Sequence, residues 1–536
     1  MFEQQLTPVG GSLGLSFVVA ALPIATVLVG LGVLRRPAWQ ASLAGLVVAF
    51  VVAVAGWSFP IGLAFDSVAN GAVFALWPVM WIVVNALLLY NIAVVSGRFD
   101  AFRDWVVEHL PNDRRVVLVV IGFCFGALLE GISGFGTPVA ITSALLILVG
   151  YPPLEALVFT LIFNTAPVAF GALGAPVTVL GQVTHLPANV LGAMIGRQLP
   201  FIALLLPFYV MAIYGGRRSV AAIWPVLLVA GGSFAASQFV ASNYIDYALT
   251  DVLASMGSLI VTIGFLQVWQ PRPDPEFALA APPADSRVAT VRPILGWLPW
   301  VVVSVVVIAW TSLSVAKIGG QSIAWPGLDK AVFITLYKTP YTAVYVFQPL
   351  TTGTAILVAA VVTAALTGVG PRRFLGAAVA TWRQSRIAVL TVMLIVALAY
   401  LMNYSGLNYT LGLGVASVGA VFPFVSAFLG WVAVFLSGSD TSGNALFGNL
   451  QVVAANTLGL NPVLIAATNS SGGVMGKMIS PQNIATGVST TALKGQEGTV
   501  FARTFWHSIV LTLVLGCIVV AQQYLFPWII PALPPK

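Results

Sequence analysis

The chain is a succession of long apolar runs separated by short polar segments. Runs long enough to cross about 30 Å of hydrocarbon recur from one end to the other. Because an open sheet in lipid would leave backbone groups without hydrogen bonds, these runs predict helices. The pattern therefore predicts an all-α integral membrane protein, and the clearest runs are Leu13–Leu34, Trp39–Gly56, Gly71–Val95, Leu295–Val315 and Phe505–Ile530.

Composition strengthens this prediction and excludes other classes. Hydrophobic residues make up 59% of the 536 positions and charged residues only 7%, whereas a soluble protein carries roughly a quarter charged residues. The net charge of +7 is dispersed between the apolar runs, so it indicates topology and not a nucleic-acid partner. The sequence has no phosphate loop, dinucleotide fingerprint or metal-ligand spacing. We therefore expect no enzyme activity, cofactor or bound metal.

Six clusters of positive charge predict the topology. If all six are cytoplasmic, the N-terminus lies outside, and two segments, near residues 116–150 and 411–458, must enter the membrane and return to the same side. The polar segment Gln270–Pro293 is then a cytoplasmic linker, and Lys317–Tyr341 lies outside. The clusters are Arg35 and Arg36; Arg98, Arg103, Arg114 and Arg115; Arg217 and Arg218; Arg272, Arg287 and Arg292; Arg372, Arg373, Arg383 and Arg386; and Lys494 and Arg503.

An internal repeat is visible in the interruptions of the apolar runs. Residues of one half recur in the same order, 305 to 310 positions later, in the other half. The corresponding pairs are Glu130 with Asp440, Ser133 with Ser442, Gly134 with Gly443, Asn164 with Asn469, Gly171 with Gly476, Pro176 with Pro481, and Arg197 with Arg503.

The repeat and the topology together predict two inverted halves, a known architecture of secondary transporters. Residues 1–215 form the first repeat, with a re-entrant hairpin at 116–150 and a broken helix at 154–183. Residues 216–293 supply two connecting helices and the cytoplasmic linker. Residues 294–536 form the second repeat, with a hairpin at 411–458 and a broken helix at 461–490. We expect about twelve spanning helices in addition to the two hairpins.

The two predicted hairpin tips carry the chemistry. The first contains Ser133 and Gly134 in a stretch rich in glycine, which cannot continue a regular helix. The second contains Ser442 and Asn444 among small hydroxylated residues. Exposed helix N-termini and free amides at such tips suit an anionic substrate. The alternative is that the glycines serve only close helix packing.

Two acids, Glu130 and Asp440, lie at membrane depth, where a charge is costly and usually paired, protonated or functional. A low dielectric favours the neutral form of a carboxyl group, so either acid could carry a coupling proton. The alternative is a structural ion pair with Arg or Lys. Asp440 is favoured because its neighbours are small and polar. His507 lies one helical turn after Arg503 and is a candidate proton relay.

Candidate substrate ligands flank the same helix breaks. Arg197 and Lys477 are suited to bind a carboxylate, although either could instead neutralise one of the acids. The amides of Asn164, Asn469 and Gln482 are suited to bind hydroxyl and carboxylate oxygens.

These motifs resemble the lactate permease family. The resemblance lies in Gly126–Ile141, Gly196–Phe201, Gly438–Gly448, Asn469–Gln482 and Arg503–Ser508. It implies uptake of a 2-hydroxymonocarboxylate, such as L-lactate, D-lactate or glycolate, together with protons across the bacterial inner membrane. The implied partners are this small molecule, protons and membrane lipid. A sodium-coupled carboxylate symporter remains open, because hairpin carbonyls also hold Na⁺, and so does a channel.

Overall fold

The structure is a computed structural model that describes residues 1–34, 36–132, 137–279, 291–489, 491, 493 and 496–533. Two predicted site residues, Ser133 and Gly134, lie outside the described residues. The predicted helical membrane architecture is confirmed. In the N-terminal part the helices are Leu13–Gly32, Ala38–Gly56, Ile61–Val95, Arg98–Glu108, Arg114–Ile132, Thr137–Leu148, Pro153–Phe163, Val168–Thr184, Ala188–Ile195 and Leu199–Val240.

The C-terminal part contains a similar series of helices. They are Tyr247–Val268, Pro293–Ser312, Thr352–Leu366, Pro371–Ser405, Leu407–Ala416, Gly419–Ser437, Asp440–Leu458, Pro462–Lys477, Pro481–Ser489 and Glu497–Tyr524. Within the described residues, ten helices are long and apolar enough to span a membrane, and a bent pair raises this number to eleven. The expected number of about twelve is not confirmed.

One of the ten, Ala188–Ile245, reverses direction within its length. Gly216 has φ +65°, a conformation that glycine adopts without steric cost. A Cβ added at Gly231 would lie 2.6 Å from the carbonyl oxygen of Leu204. The two arms therefore run side by side, and this segment contributes two helices to the bundle.

Five short strands interrupt the helical pattern, which the all-α expectation did not include. Most of them lie between Pro293–Ser312 and Thr352–Leu366, in and just after the polar segment predicted to be outside. A sheet is possible there because water can satisfy its edges. Phe2–Glu3, Val332–Ile334 and Thr339–Pro340 form one sheet, and Gln321–Ala324 pairs antiparallel with Val344–Phe347.

The first hairpin comprises Arg114–Ile132 and Thr137–Leu148. Its second arm of 12 residues is about 18 Å long at 1.5 Å per residue, too short to cross the hydrocarbon region alone. The hydroxyl of Tyr151 donates a hydrogen bond to the carbonyl oxygen of Arg114 at 2.5 Å. The chain thus returns to the level at which the hairpin began. At this base the amide of Leu279, in the linker, donates to Asn112 Oδ1 at 2.8 Å.

The second hairpin comprises Gly419–Ser437 and Asp440–Leu458. The expected start at residue 411 falls instead in a separate helix, Leu407–Ala416, which ends before the hairpin begins. At the base of this hairpin, Asn456 Nδ2 donates to the hydroxyl of Tyr337 at 3.0 Å. The base of the second hairpin therefore lies beside the strands, whereas the base of the first lies beside the linker.

The first arm of the first hairpin is surrounded by other helices. The most apolar 18-residue stretch of Arg114–Ile132 is 100% buried inside the protein. The corresponding stretch of Leu13–Leu31, at the periphery, is 33% buried. Large apolar side chains on peripheral helices, such as Val18 and Phe65, are exposed and face lipid in a membrane protein. The first arm of the first hairpin thus occupies the interior of the bundle, whereas the first arm of the second hairpin, Gly419–Ser437, is only 39% buried.

Candidate substrate and ion site

A small cavity, the central cavity, lies where the two hairpins meet the two broken helices. The first broken helix comprises Pro153–Phe163 and Val168–Thr184, bent by 65°, and the second comprises Pro462–Lys477 and Pro481–Ser489. The cavity has a volume of about 30 Å³, roughly what one water molecule occupies in the liquid. Its walls are formed by Glu130, Val168, Gly171, Ala172, Pro176, Gly438, Ser439, Asp440, Thr441, Lys477 and Gln482.

Glu130 forms an ion pair at the wall of this cavity. Lys477 Nζ lies 2.6 Å from Glu130 Oε1, and both side chains are less than a tenth exposed. Asn164 Nδ2 donates to the other oxygen, Oε2, at 3.0 Å. A Cβ added at Gly171 would lie 2.8 Å from Glu130 Oε1, so glycine allows the carboxylate to approach the backbone. The pair joins a hairpin of the N-terminal half to a broken helix of the C-terminal half.

The positions of Glu130 and Lys477 on their helices explain why the ionised carboxylate of Glu130 requires a cation beside it. Lys477 is the last residue of Pro462–Lys477, where the helix dipole favours a cation. Glu130 lies near the C-terminal end of Arg114–Ile132, where the dipole disfavours an anion. Removing one partner of such a buried pair leaves an uncompensated charge, which is strongly destabilising.

Asp440 is held in a different way. It is the first residue of its helix, where the dipole favours an anion. Ser470 Oγ and Asn444 Nδ2 both donate to its Oδ2, the latter at 3.2 Å. The other oxygen, Oδ1, is buried and has no hydrogen-bond partner in the part of the chain that the structure describes. A Cβ added at Gly473 would lie 2.5 Å from Oδ1, so this oxygen rests against backbone.

Two of the predicted substrate ligands, Asn444 and Asn469, belong to a hydrogen-bond network that holds Asp440 in position. Asn444 Nδ2 also donates to the carbonyl oxygen of Pro176 at 3.2 Å. Asn469 Nδ2 donates to Asn444 Oδ1 at 2.9 Å, and Gln451 Nε2 donates to Asn469 Oδ1 at 2.7 Å. The amides of Asn444 and Asn469 are therefore engaged within the protein, and their geometry suits positioning Asp440 rather than contacting a substrate.

The break in the first broken helix places backbone in the cavity wall. Ala172, Leu173 and Gly174 all have positive φ, 45°, 54° and 77°. For the two residues that are not glycine this conformation is unfavourable, and such strain is concentrated at functional sites. At Gly174 an added Cβ would lie 2.8 Å from the ring of Tyr247, so the turn also requires close packing.

A large vestibule of about 1,030 Å³ adjoins the central cavity. The two spaces share Ser439 and Gln482 as lining residues. The vestibule extends from these residues, past Ser442, to Arg36 and Glu497. Gln482, a predicted substrate ligand, thus lies between the cavity and the vestibule.

Two other predicted site residues lie away from the cavity. Arg197 donates through Nε to Asn243 Oδ1 at 2.8 Å and through Nη1 to the carbonyl oxygen of Ile529. His507 Nδ1 lies 2.7 Å from the hydroxyl of Tyr209. Neither side chain is part of the cavity wall, so their roles in binding and proton relay stay predictions.

Two residues at the centre of the protein were missed by the sequence reasoning. Gln198, the neighbour of Arg197, is fully buried, and its Nε2 donates to Thr468 Oγ1 of the second broken helix at 2.9 Å. Asp251 is also fully buried. An acid inside the apolar helix Tyr247–Val268 is a signal of the kind that singled out Glu130.

Comparisons with known proteins identify the family of this chain. The family model described as L-lactate permease matches residues 16–526. Glycolate permease GlcA of Escherichia coli (strain K12) is 41% identical over 98% of this chain and 98% of its own. L-lactate permease of Salmonella typhi is 40% identical over 99% of this chain and 100% of its own.

A solved structure, MtrF of Neisseria gonorrhoeae, covers 96% of this chain and 99% of its own at 13% identity, but its TM-score of 0.49 is too low to establish a shared fold. The assignment therefore depends on the family match and on the relatives, which are named as permeases. This chain belongs to the L-lactate permease family, and it is a multi-pass transporter of the bacterial inner membrane and not an enzyme.

Proposed function

We propose that this protein takes up L-lactate, D-lactate or glycolate together with protons. The names of its relatives support this class of cargo. The observation that carries the coupling is the Lys477–Glu130 pair, with its 2.6 Å contact at the wall of the central cavity. Lys477 is the one cation among the described residues that line this cavity.

A single cation cannot serve two carboxylates at once. While Glu130 is ionised it occupies Lys477, and an entering substrate anion would be buried without a counter-charge, which is costly. Protonation of Glu130 removes its charge and leaves the ammonium group of Lys477 to bind the substrate carboxylate. Proton and anion then enter together as a neutral pair.

The rest of the cavity wall suits the remainder of a hydroxy acid. Thr441 and Gln482 line it with a hydroxyl and an amide, groups that both donate and accept hydrogen bonds. The 2-hydroxyl of the substrate can be recognised by either. A three-carbon acid needs more room than the present 30 Å³, so we expect the wall between cavity and vestibule, at Ser439 and Gln482, to move when the substrate binds.

Two inverted repeats, 1–215 and 294–536, are part of the proposal. The base of the first hairpin contacts the linker, and the base of the second contacts the segment between strands. A single apolar helix, Pro293–Ser312, connects that linker to the strands. If this helix spans the membrane, the hairpins enter from opposite sides, which supports an alternating-access mechanism.

The vestibule supports the same mechanism. It includes Arg36, which belongs to a charge cluster predicted to be cytoplasmic. In this assignment the present conformation is open towards the cytoplasm. It corresponds to the state from which substrate is released.

Sodium coupling is a second candidate, favoured by one observation. Asp440 Oδ1 is buried without a hydrogen-bond partner among the described residues, and a carboxylate oxygen is a suitable Na⁺ ligand. In this alternative Na⁺ would neutralise Asp440 and accompany the anion.

The test is uptake into proteoliposomes containing the purified protein. Unlabelled L-lactate, D-lactate, glycolate, pyruvate and acetate compete with labelled L-lactate, with and without Na⁺ and with and without an uncoupler. The proposal expects the three 2-hydroxy acids to compete best and accumulation to collapse with the uncoupler. Uptake that requires Na⁺ and resists the uncoupler would replace the proton by Na⁺, and uptake that never exceeds the external concentration would indicate a channel.

A further inference from the structure

We propose that Asp251 is a third ionisable residue of the coupling site and that it binds and releases a proton during transport. This inference rests on the proposed proton coupling. Asp251 lies in the first turn of the helix Thr250–Val268, outside both hairpins and both broken helices.

The first argument is its burial. The side chain of Asp251 is fully buried, and among the residues that the structure describes neither Oδ1 nor Oδ2 has a hydrogen-bond partner. Buried polar groups that serve structure are almost always hydrogen-bonded. An ionised carboxylate without partners is so costly in a low dielectric that the group takes up a proton instead. The present conformation therefore favours a protonated Asp251. The proton on this carboxyl group makes no hydrogen bond to the described residues that would stabilise the fold.

The second argument is its position behind the ion pair. Gly131 follows Glu130 directly, and a Cβ added at Gly131 would lie 2.7 Å from Asp251 Cβ. The helix of Asp251 therefore packs against the hairpin at the residue next to Glu130. Both Glu130 and Lys477 lie within electrostatic reach of Asp251. A change in the charge of Glu130 or in the position of Lys477 is felt directly by Asp251.

The third argument is the balance of charge around the cavity. Asp440 also interacts electrostatically with Glu130 and Lys477. Within the described residues, the central cavity and Asp251 thus bring three acids together with one cation, Lys477. In a low dielectric one cation cannot compensate three carboxylates. At least part of this acid set must therefore be neutral at any stage of the cycle.

Within the described residues, no further hydrogen-bond or electrostatic partner of the Asp251 carboxyl group is found beyond Glu130 and Lys477. Near Asp251, the first hairpin contributes only Glu130 and, further along, the thiol of Cys124, which lies 3.2 Å from Ser258 Oγ. The helices Val168–Thr184 and Pro293–Ser312 contain no ionisable side chain, and neither do residues 219–240 of the reversed segment.

On its own element, Asp251 is preceded by two ionisable residues that already have partners. Asp246 Oδ2 accepts from Thr311 Oγ1 at 2.8 Å, and the hydroxyl of Tyr247 lies 3.1 Å from Thr178 Oγ1. Among the described residues, Asp251 therefore interacts electrostatically with the Glu130–Lys477 pair. In the proposed step a hydronium ion on the outer side gives its proton to the Asp251 carboxylate and becomes water, and the new O–H bond breaks when water on the inner side accepts the proton and becomes hydronium.

The test separates substrate movement from proton movement. Asp251→Asn keeps the size of the side chain but cannot bind or release a proton at neutral pH. In proteoliposomes we expect exchange of labelled for unlabelled L-lactate, at equal pH on both sides, to stay within about twofold of the wild type. Accumulation driven by a pH gradient should fall by about tenfold or more, and fewer protons should enter with each lactate.

Asp246→Asn is the matched control, because it removes an acid from the same helix end while an amide still caps the helix. It should leave exchange and accumulation unchanged. The proposal is overturned if Asp251→Asn accumulates lactate like the wild type. It is also overturned if this variant loses exchange together with accumulation and Asp251→Glu, which restores the carboxyl group, recovers neither, since the role is then structural. Failure of the proton-coupling proposal itself would show differently, as a wild type that ignores the pH gradient.

Discussion

The first hairpin offers the cavity an acid that is paired with a cation, whereas the second offers an acid held by neutral donors. Glu130 lies at an unfavourable helix end and is compensated by Lys477. Asp440 lies at a favourable helix start, with two donors on one oxygen and none on the other. The two positions that the predicted repeat pairs with each other thus have different electrostatics. In the proposed mechanism this difference means that Glu130 controls the cation that binds the substrate, while Asp440 takes a proton or Na⁺.

The largest effect is expected from Lys477→Met. The substitution removes the cation for the substrate and leaves Glu130 unpaired in a buried site, which costs about 3–5 kcal/mol of stability. We expect no measurable uptake and a lower melting temperature in detergent. The double variant with Glu130→Gln should regain stability but not uptake. A single variant that still transports lactate would remove Lys477 from the site.

Glu130→Gln tests whether the pair controls binding. The neutral amide keeps a hydrogen-bond acceptor for Lys477 but no longer competes as a charge, so L-lactate should bind at least as tightly as in the wild type. Accumulation driven by a pH gradient should be lost, because the exchangeable proton is gone. Binding is measured by isothermal titration and accumulation by uptake. Weaker binding with intact accumulation would contradict the assigned role.

Asp440→Asn provides the contrast to Glu130→Gln. Its amide oxygen can still accept from Ser470 and Asn444, so we expect the fold and the affinity for L-lactate to change little. Loss of coupling is expected if Asp440 carries the ion. The dependence of uptake on pH and on Na⁺ distinguishes a proton from Na⁺. Unchanged coupling would leave Asp440 with a structural role only.

A smaller effect is expected from Gly473→Ala. The added Cβ would lie 2.5 Å from Asp440 Oδ1, and relieving such overpacking typically costs about 1–3 kcal/mol. The melting temperature and the rate of uptake should therefore both be lower than in the wild type. Gly264→Ala is the control, because nothing lies within 4 Å of an added Cβ there. Equal behaviour of the two variants would show that the contact with Asp440 is unimportant.

The smallest effect is expected from Arg197→Lys. Its partners are Asn243 and the backbone of Ile529, outside the cavity. Loss of one hydrogen bond changes stability by roughly 1 kcal/mol, and the dissociation constant for L-lactate should change by less than about twofold. A large loss of affinity would restore Arg197 to the binding site and show that the cavity is incomplete in this conformation.

The sequence allowed much of this architecture to be predicted, because a backbone in lipid has few ways to satisfy its hydrogen bonds. Long apolar runs must be helices, and acids or glycine-rich breaks within them must be buried or functional. Glu130, Asp440 and Lys477 were found in this way, and all three line the central cavity. The strands between Pro293–Ser312 and Thr352–Leu366 were not predicted, since water does not impose the same constraint.

The sequence by itself determined that this protein is a helical membrane transporter and indicated that Glu130 and Asp440 lie at membrane depth, because burying polar groups in hydrocarbon is costly wherever it occurs. Only the tertiary structure decided which of these groups meet. Lys477 pairs with Glu130 across 347 positions, Arg197 contacts other partners, and Asp251 lies behind the hairpin. Such partnerships depend on the packing of distant helices, which local sequence patterns do not encode.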